Sequence, residues 1–118
     1  MSLQMVKESP IFSCTYNLLR WLIPTVIKFP RQHRFVLAQA LQEDAMRFHS
    51  YLVEAVHDPR PLGKLNLADA ELDKLRMHIR LSRDLALLTP GQYAHVAEMI
   101  TEIGKLLGGW KQKYSQKP

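Results

Sequence analysis

Glycine and proline occur at few positions in this 118-residue chain, and they divide it into four segments. In the first three segments, apolar residues recur at intervals of three and four positions, the spacing of one face of an α-helix. No stretch alternates β-branched and polar residues as a strand does, so we predict no strands. The sequence therefore predicts an all-α protein. Four helices with short connections favour an up-down-up-down four-helix bundle.

The first two helices are separated by a Phe29-Pro30-Arg31 turn. We predict the first helix over residues 13–28, with Ser13 as its N-cap and a kink at Pro24, because a proline within a helix removes a backbone donor. The second helix is predicted over residues 31–57 and would be about 40 Å long. The apolar residues expected on its buried side are Leu37, Leu41, Phe48, Leu52 and Ala55.

The last two helices are bounded by clearer signals. Two prolines and a glycine within residues 58–63 predict a loop, which is followed by a third helix over residues 65–88. Thr89 has the character of an N-cap, with a proline at the first helical position and Gln92 completing a capping box. We predict that the fourth helix ends near residue 111, where the polar tail 112–118 begins and is expected to fray.

The length and charge of the chain restrict what it can do. A chain of 118 residues fits one domain over residues 1–118, with an ordered core at about 12–112. The apolar runs are too short to span a membrane, and the first dozen residues lack a secretory signal, so we expect a cytoplasmic protein. One cysteine, Cys14, cannot form an internal disulfide. A net charge of +5 favours acidic partners, nucleic acid first among them.

The third helix carries two apolar sides instead of one. Successive residues of an α-helix are rotated by about 100° around its axis. This rotation puts Ala68, Leu72, Leu75, Ile79 and Ala86 on one side, and Met77, Leu81, Leu85 and Leu88 on nearly the opposite side. A helix at the periphery of a bundle needs a single apolar side, so the second one suggests burial against another subunit. The alternative is a helix that lies centrally within its own monomer.

Arg76, Arg80 and Arg83 lie between these two sides and form a line along the third helix, which we call the arginine stripe. Arginine suits bidentate contacts with phosphate or carboxylate, so the stripe predicts a surface for a polyanion or an acidic partner. Nearby aspartates offer another interpretation, in which ion pairs at helical spacing leave a self-neutralised, solvated face. These aspartates are Asp69, Asp73 and Asp84.

The sequence contains no arrangement typical of an active site. The histidines at positions 33, 49, 57, 78 and 95 form no metal-binding spacing. Glu43 and Asp44 are adjacent on a helix and point in different directions, so they do not form an acid–base pair. No helix carries the Glu-x-x-His motif of a metal site in a bundle core. We therefore expect a protein that is not an enzyme and that uses neither a metal nor a cofactor.

Three segments together resemble a known family. They are residues 18–31 with the Phe-Pro-Arg turn, residues 72–81, and residues 93–110, which end in I-G-K-L-L-G-G-W. In this combination the chain resembles the accessory variability determinant (Avd) proteins of diversity-generating retroelements, over about residues 16–110. Those proteins in turn resemble the four-helix-bundle proteins encoded in ribosomal RNA intervening sequences.

The resemblance implies a non-enzymatic helical bundle that assembles into a basic, homopentameric barrel. Its implied partners are the reverse transcriptase of the retroelement and nucleic acid, either template RNA or an RNA/DNA hybrid. The implied role is to support mutagenic copying and retrohoming, with the polymerase chemistry carried by the partner. The alternative is a structural bundle of the ribosomal intervening-sequence type without a reverse-transcriptase partner, and a reverse-transcriptase gene beside this one would discriminate between the two.

The resemblance implies that particular residues of this chain correspond to basic positions of the family. Arg76 and Arg80 match the basic positions of the third helix and Arg83 extends them, while Arg31 and Arg34 match the basic turn after the first helix. Residues 38–40, Ala-Gln-Ala, stand where family members often show glycine, aspartate and arginine, so one basic contact is missing. The residues expected at a subunit interface or in close helix packing are Met77, Leu81, Leu85, Gly104 and Trp110.

Overall fold

The structure is a computed structural model that describes residues 9–115 and is helical through most of that range. Helix α1 spans Pro10–Val26, α3 spans Leu62–Asp84 and α4 spans Pro90–Ser115. Helix α2 is a continuous helical run over residues 31–56. No strand occurs within the described residues, so the prediction of four helices and no strands is confirmed there.

Helix α2 changes its winding close to its start. It begins as the short α-helical turn Arg31–His33, continues as the π-helical stretch Arg34–Ala38, and becomes α-helical again over Gln39–Val56. The amide of Gln39 donates to the carbonyl of Arg34, five residues earlier, which is the hydrogen bond that defines a π-helix. No pattern in the sequence predicts this change of winding.

Contacts between the helices show that neighbours run in opposite directions. Early residues of α1 meet late residues of α4, since the rings of Phe12 and Trp110 lie 6.3 Å apart. At the other end of the same pair, the rings of Trp21 and His95 lie 5.3 Å apart. Ion pairs show the same relation for the other helices, namely Arg47–Glu71 and Lys64–Glu54 between α2 and α3, and Lys111–Asp69 between α3 and α4. The four helices therefore alternate in direction, as the sequence predicts.

The core lies along the axis of the bundle and receives side chains from all four helices. Every residue predicted on the buried side of α2 is buried, and so are Ala68, Leu72, Leu75 and Ile79 of α3. Ala86, which was predicted on the same side of the third helix, lies beyond the end of α3 and is exposed. The largest completely enclosed side chain is Phe48. Burial of apolar surface of this kind is the main favourable contribution to folding. The helical periodicity alone identified these core residues.

The predicted bounds of α1 need correction at both ends. The helix begins at Pro10 rather than Ser13, because a proline suits the first helical position. The next two residues, Ile11 and Phe12, are buried in the core. It ends at Val26 rather than at residue 28, where the amide of Lys28 turns back to the carbonyl of Thr25. Pro24 lies inside the helix, as expected.

Helix α3 ends earlier than predicted, and the reason is a tight C-terminal turn. Ala86 adopts the left-handed conformation with φ of 58°. The amide of Leu87 donates to the carbonyl of Ser82 at 2.8 Å, and the amide of Ala86 donates to that of Arg83 at 2.9 Å. This pair of bonds is a Schellman motif, which satisfies the last carbonyls of the helix. Leu88 is therefore outside α3 and is buried in the core, so its placement on the outward side of the helix was wrong.

The remaining bounds differ by a few residues. Helix α3 begins at Leu62, so Leu62 and Gly63 belong to the helix and not to the predicted loop. Helix α4 continues to Ser115 and thus includes the first four residues of the tail that was expected to fray. The last part of that tail, residues 116–118, lies outside the described residues. None of the helices in the described part is long and apolar enough to cross a membrane.

Candidate nucleic-acid interface

One end of the bundle combines two turns that carry basic residues. The turn between α1 and α2 and the turn between α3 and α4 both line a cleft of about 210 Å³. The lining residues are Thr25, Lys28, Phe29, Pro30, Ala86, Leu87 and Gln92. Arg31 and Arg34 follow the first turn directly, and Arg83 precedes the second. The fold therefore brings the predicted basic turn and the C-terminal part of the arginine stripe to the same end.

Lys28, Arg31 and Arg34, which we call the basic turn, are exposed and carry no ion pair with any described acidic residue. The cause is visible in the sequence, because no aspartate or glutamate occurs between residues 9 and 42. The Nε of Arg34 donates to the carbonyl oxygen of Phe29 at 3.0 Å, which fixes the side chain against the turn. The charge of these three residues is thus available to a partner.

The arginine stripe is partly neutralised by its own helix. Arg76 donates from Nη1 to Asp73 at 2.6 Å, and Arg83 contacts Asp84 at 3.1 Å. Arg80 is more distant from Asp84, with 4.0 Å between Nε and the carboxylate. The third nearby aspartate, Asp69, pairs with Lys111 of α4 instead, at 2.8 Å. Three arginines therefore share two aspartates, so the self-neutralised interpretation is correct in part and the stripe keeps an excess of positive charge.

Two of the stripe arginines are held in place by α4. The guanidinium carbon of Arg83 lies 4.5 Å from the centroid of the Tyr93 ring, a cation–π geometry. The guanidinium of Arg76 lies against Gly104, which was predicted to admit a neighbouring helix. Within the monomer, the close contact at Gly104 is thus made by an arginine side chain of α3. Neither partner of these contacts was foreseen from the sequence.

The second apolar side of α3 is exposed in the monomer. Met77 and Leu81 of α3, and Leu85 directly after its last residue, all present large apolar surfaces to solvent. The alternative in which α3 is central in its own monomer is therefore wrong. Isolated apolar residues are common on protein surfaces, but a row along one helix is typical of a contact surface.

Trp110 lies at the opposite end of the bundle from the basic turn. Its indole is half-buried against Phe12 and lines a mostly apolar cleft of about 410 Å³. Lys105 and Lys113 also line this cleft. The tryptophan therefore covers part of this end of the core.

Two buried carboxylates join α2 to α3 and were not foreseen. Asp44 is only 1% exposed and Glu71 only 5% exposed. Arg47 donates to both, at 3.2 Å to Asp44 and 3.0 Å to Glu71. His78 contacts the other carboxylate oxygen of Asp44, and Lys74 contacts Glu71. Because the partners are far apart in sequence, only the fold brings this cluster together, and its chemistry is that of an interhelical ion-pair network.

The described residues provide no metal centre. Histidine, cysteine and carboxylate side chains in that part of the chain form no group of three or more able to hold a metal ion. His49 is half-buried, its Nδ1 has no hydrogen-bond partner, and burial lowers the pKa of its imidazole. That environment suits a neutral packing residue.

A comparison with protein families identifies a relationship over most of the chain. A family model described as bAvd-like matches residues 10–114. This range coincides with the four helices almost from the first residue of α1 to the last residue of α4. No curated protein matches the chain in sequence.

Proposed function

Because the chain belongs to the bAvd-like family, whose members are non-catalytic accessory proteins of the retroelement type, we propose that it is a helical adaptor. In this function it binds the reverse transcriptase of a diversity-generating retroelement together with template RNA or an RNA/DNA hybrid. The adaptor supports mutagenic retrohoming in the cytoplasm, and the polymerase carries the chemistry. It requires neither a metal nor a cofactor.

The unneutralised basic turn is the observation that carries this proposal. Lys28, Arg31 and Arg34 are exposed and without ion pairs among the described residues, whereas most other basic side chains near the bundle surface have an acidic neighbour. Contacts from such cations to phosphates are insensitive to base sequence and weaken steeply with salt. The basic turn is therefore the primary nucleic-acid surface.

The arginine stripe extends that surface along α3. Its excess charge is smaller because Asp73 and Asp84 neutralise part of it. Arg80 has the longest ion-pair distance of the three arginines and is the one most available to a new partner. Arg76 and Arg83 serve nucleic acid or the polymerase from positions fixed by Gly104 and Tyr93.

A homo-oligomer accounts for the exposed apolar side of α3. Met77, Leu81 and Leu85 would be buried between subunits, which removes an energetically unfavourable exposed row from water. The family resemblance suggests that the closed assembly is a pentamer. In such an assembly each subunit contributes its own basic turn, so several phosphate-binding surfaces act together.

The proposal is tested with two variants that remove equal charge. One carries Lys28→Gln, Arg31→Gln and Arg34→Gln, and the other carries Arg76→Gln, Arg80→Gln and Arg83→Gln. Binding of a labelled structured RNA is measured across a salt series, and co-purification with the cognate reverse transcriptase is measured in parallel. Circular dichroism confirms that both variants remain folded.

We expect the basic-turn variant to lose the larger part of the affinity. The slope of log K against log[salt] should fall by about 2 units if three phosphate contacts are lost. The stripe variant should lose less. If both variants lose equally little affinity, RNA attraction is generic and the basic turn is not a nucleic-acid surface. Failure of the wild-type protein to co-purify with the polymerase would favour the ribosomal intervening-sequence type of bundle.

A further inference from the structure

The largest exposed apolar surface at the basic end comes from two consecutive residues of α2. Phe35 is 78% exposed, more than any other large apolar residue in the described part, and Val36 is 74% exposed. Both follow the basic turn directly. An aromatic ring left almost completely in water is unfavourable, which points to a partner that covers it.

The apolar run within the π-helical stretch explains why these side chains face outward. Residues 35–38 form an unbroken apolar run, and a helix can turn only part of such a run toward the core. Leu37 and Ala38 are buried, so Phe35 and Val36 are left outside. Short π-helical segments occur frequently at functional sites.

The charge around Phe35 restricts the identity of its partner. Arg31 lies four residues before Phe35 and is its neighbour on the helix surface, while Arg34 is adjacent in sequence. No acidic residue occurs between residues 9 and 42, and Glu43 is itself occupied by Gln39 and Arg47. A second copy of this basic surface would be repelled here. Negative charge combined with flat apolar groups is therefore the chemistry that fits the surface around Phe35.

We propose that Phe35 is a stacking surface for an unpaired nucleic-acid base, with Arg31 and Arg34 contacting the phosphates beside it. Aromatic side chains next to basic residues bind single strands in this way, whereas the bases of a duplex are already stacked on each other. The inference rests on the proposed function and specifies its ligand as unpaired nucleotides. Val36 extends the apolar surface beneath the sugar.

The experiment separates stacking from charge. Binding of a single-stranded RNA of mixed sequence and of the blunt duplex that contains it is compared for wild type, Phe35→Leu and Phe35→Trp. Leucine keeps the apolar bulk and removes the ring. Tyr114→Leu is the matched control, because Tyr114 is an exposed aromatic residue near the opposite end of the bundle. A single-stranded DNA of the same sequence shows whether the sugar matters.

We expect Phe35→Leu to weaken single-strand binding about tenfold and duplex binding by less than about twofold. Phe35→Trp should bind the single strand as well as the wild type does. The fluorescence of the new tryptophan should be quenched by the single strand beyond the background from Trp21 and Trp110. The Tyr114 variant should behave as wild type. Circular dichroism of the Phe35→Leu protein should be unchanged, because the ring makes little contact with the core.

Three outcomes would overturn the inference: unchanged single-strand binding in Phe35→Leu, equal loss on single strand and duplex, or a change of subunit number with unchanged RNA binding. The last would assign Phe35 to a subunit interface. The charge variants keep this result separate from the proposed function. If the basic-turn variant loses RNA affinity while Phe35→Leu does not, stacking fails and the adaptor function stands.

Discussion

The guanidinium of Arg76 lies against the backbone of Gly104, and there is no room between them for a β-carbon. A β-carbon built at Gly104 would be 2.5 Å from Nη2 of Arg76 and 3.9 Å from its Cζ. The absence of a side chain on α4 thus lets an arginine of α3 cross the groove between the helices. The same guanidinium pairs with Asp73, so its position is fixed from both sides.

Gly104→Ala should therefore move Arg76 without damaging the bundle. The clash involves the end of a flexible side chain, and alanine is favoured over glycine within a helix by about 1 kcal/mol. We expect the free energy of unfolding in urea to stay level or rise by less than that amount. Gly108→Ala is the control, since nothing lies within 4 Å of a β-carbon there and the full gain is expected. A loss of stability in Gly104→Ala would instead show that Arg76 cannot move aside without losing stabilising contacts.

The left-handed residue at the end of α3 predicts a stabilising substitution. Ala86 has a φ of 58°, where a β-carbon is unfavourable and glycine is the usual residue. Ala86→Gly should raise the free energy of unfolding by about 0.5–1 kcal/mol, even though glycine also increases the entropy of the unfolded chain. Urea denaturation measures the change. A decrease in stability would mean that the alanine methyl group contributes more in packing than it costs in strain.

Local signals in the sequence were sufficient where structure depends on adjacent residues. The amide of Thr89 donates to the side chain of Gln92 at 3.0 Å, and the amide of Gln92 donates back to Thr89 Oγ1 at the same distance, so the predicted capping box is confirmed. The end of α3 was missed because Ala86 gives no sign of a left-handed conformation. The π-helical stretch was missed because an apolar run such as residues 35–38 has no periodicity from which its winding can be predicted.

The candidate site could be predicted only as a list of basic residues. The sequence places Arg31, Arg34 and the arginine stripe, but it cannot show which of them are neutralised, because that depends on side-chain geometry. Asp69 illustrates the difficulty, since it lies at helical spacing from the stripe yet pairs with Lys111 of another helix. One signal was overlooked: the absence of acidic residues between positions 9 and 42 distinguishes the basic turn from the stripe.

The capping box at the start of α4 should be measurable as a stability contribution. Thr89→Ala removes the oxygen that accepts from the Gln92 amide and leaves that amide without its partner. The free energy of unfolding should fall by about 1 kcal/mol. Thr101→Ala is the control, because its hydroxyl bonds only to a carbonyl within the exposed face of α4. Equal effects of the two substitutions would show that the box contributes nothing specific.

Because two buried carboxylates share Arg47, the stability of the α2–α3 pair should depend on this one arginine. Arg47→Ala leaves Asp44 and Glu71 without their shared donor, and an uncompensated buried charge is costly. Since Arg47 is itself partly exposed, we expect a loss of about 2 kcal/mol, below the value for a fully buried pair. Lys74→Ala removes only an exposed donor to Glu71 and should cost less than about 0.5 kcal/mol. Similar losses in both variants would show that the buried network is not what joins the helices.

His49 should make the stability of the protein depend on pH. Burial lowers the pKa of its imidazole below the unfolded value of 6.5, so the unfolded chain binds more protons when the pH is between these two values. The free energy of unfolding should therefore fall as the pH decreases through 6.5 and level off below the folded pKa.

His49→Leu removes this contribution together with a buried nitrogen that has no partner. The measurement is the difference in urea stability between wild type and variant at several pH values, in which the contributions of the other histidines cancel. The difference should shift in favour of the leucine variant as the pH decreases, and a difference that does not change with pH would show that His49 keeps its ordinary pKa in the folded bundle.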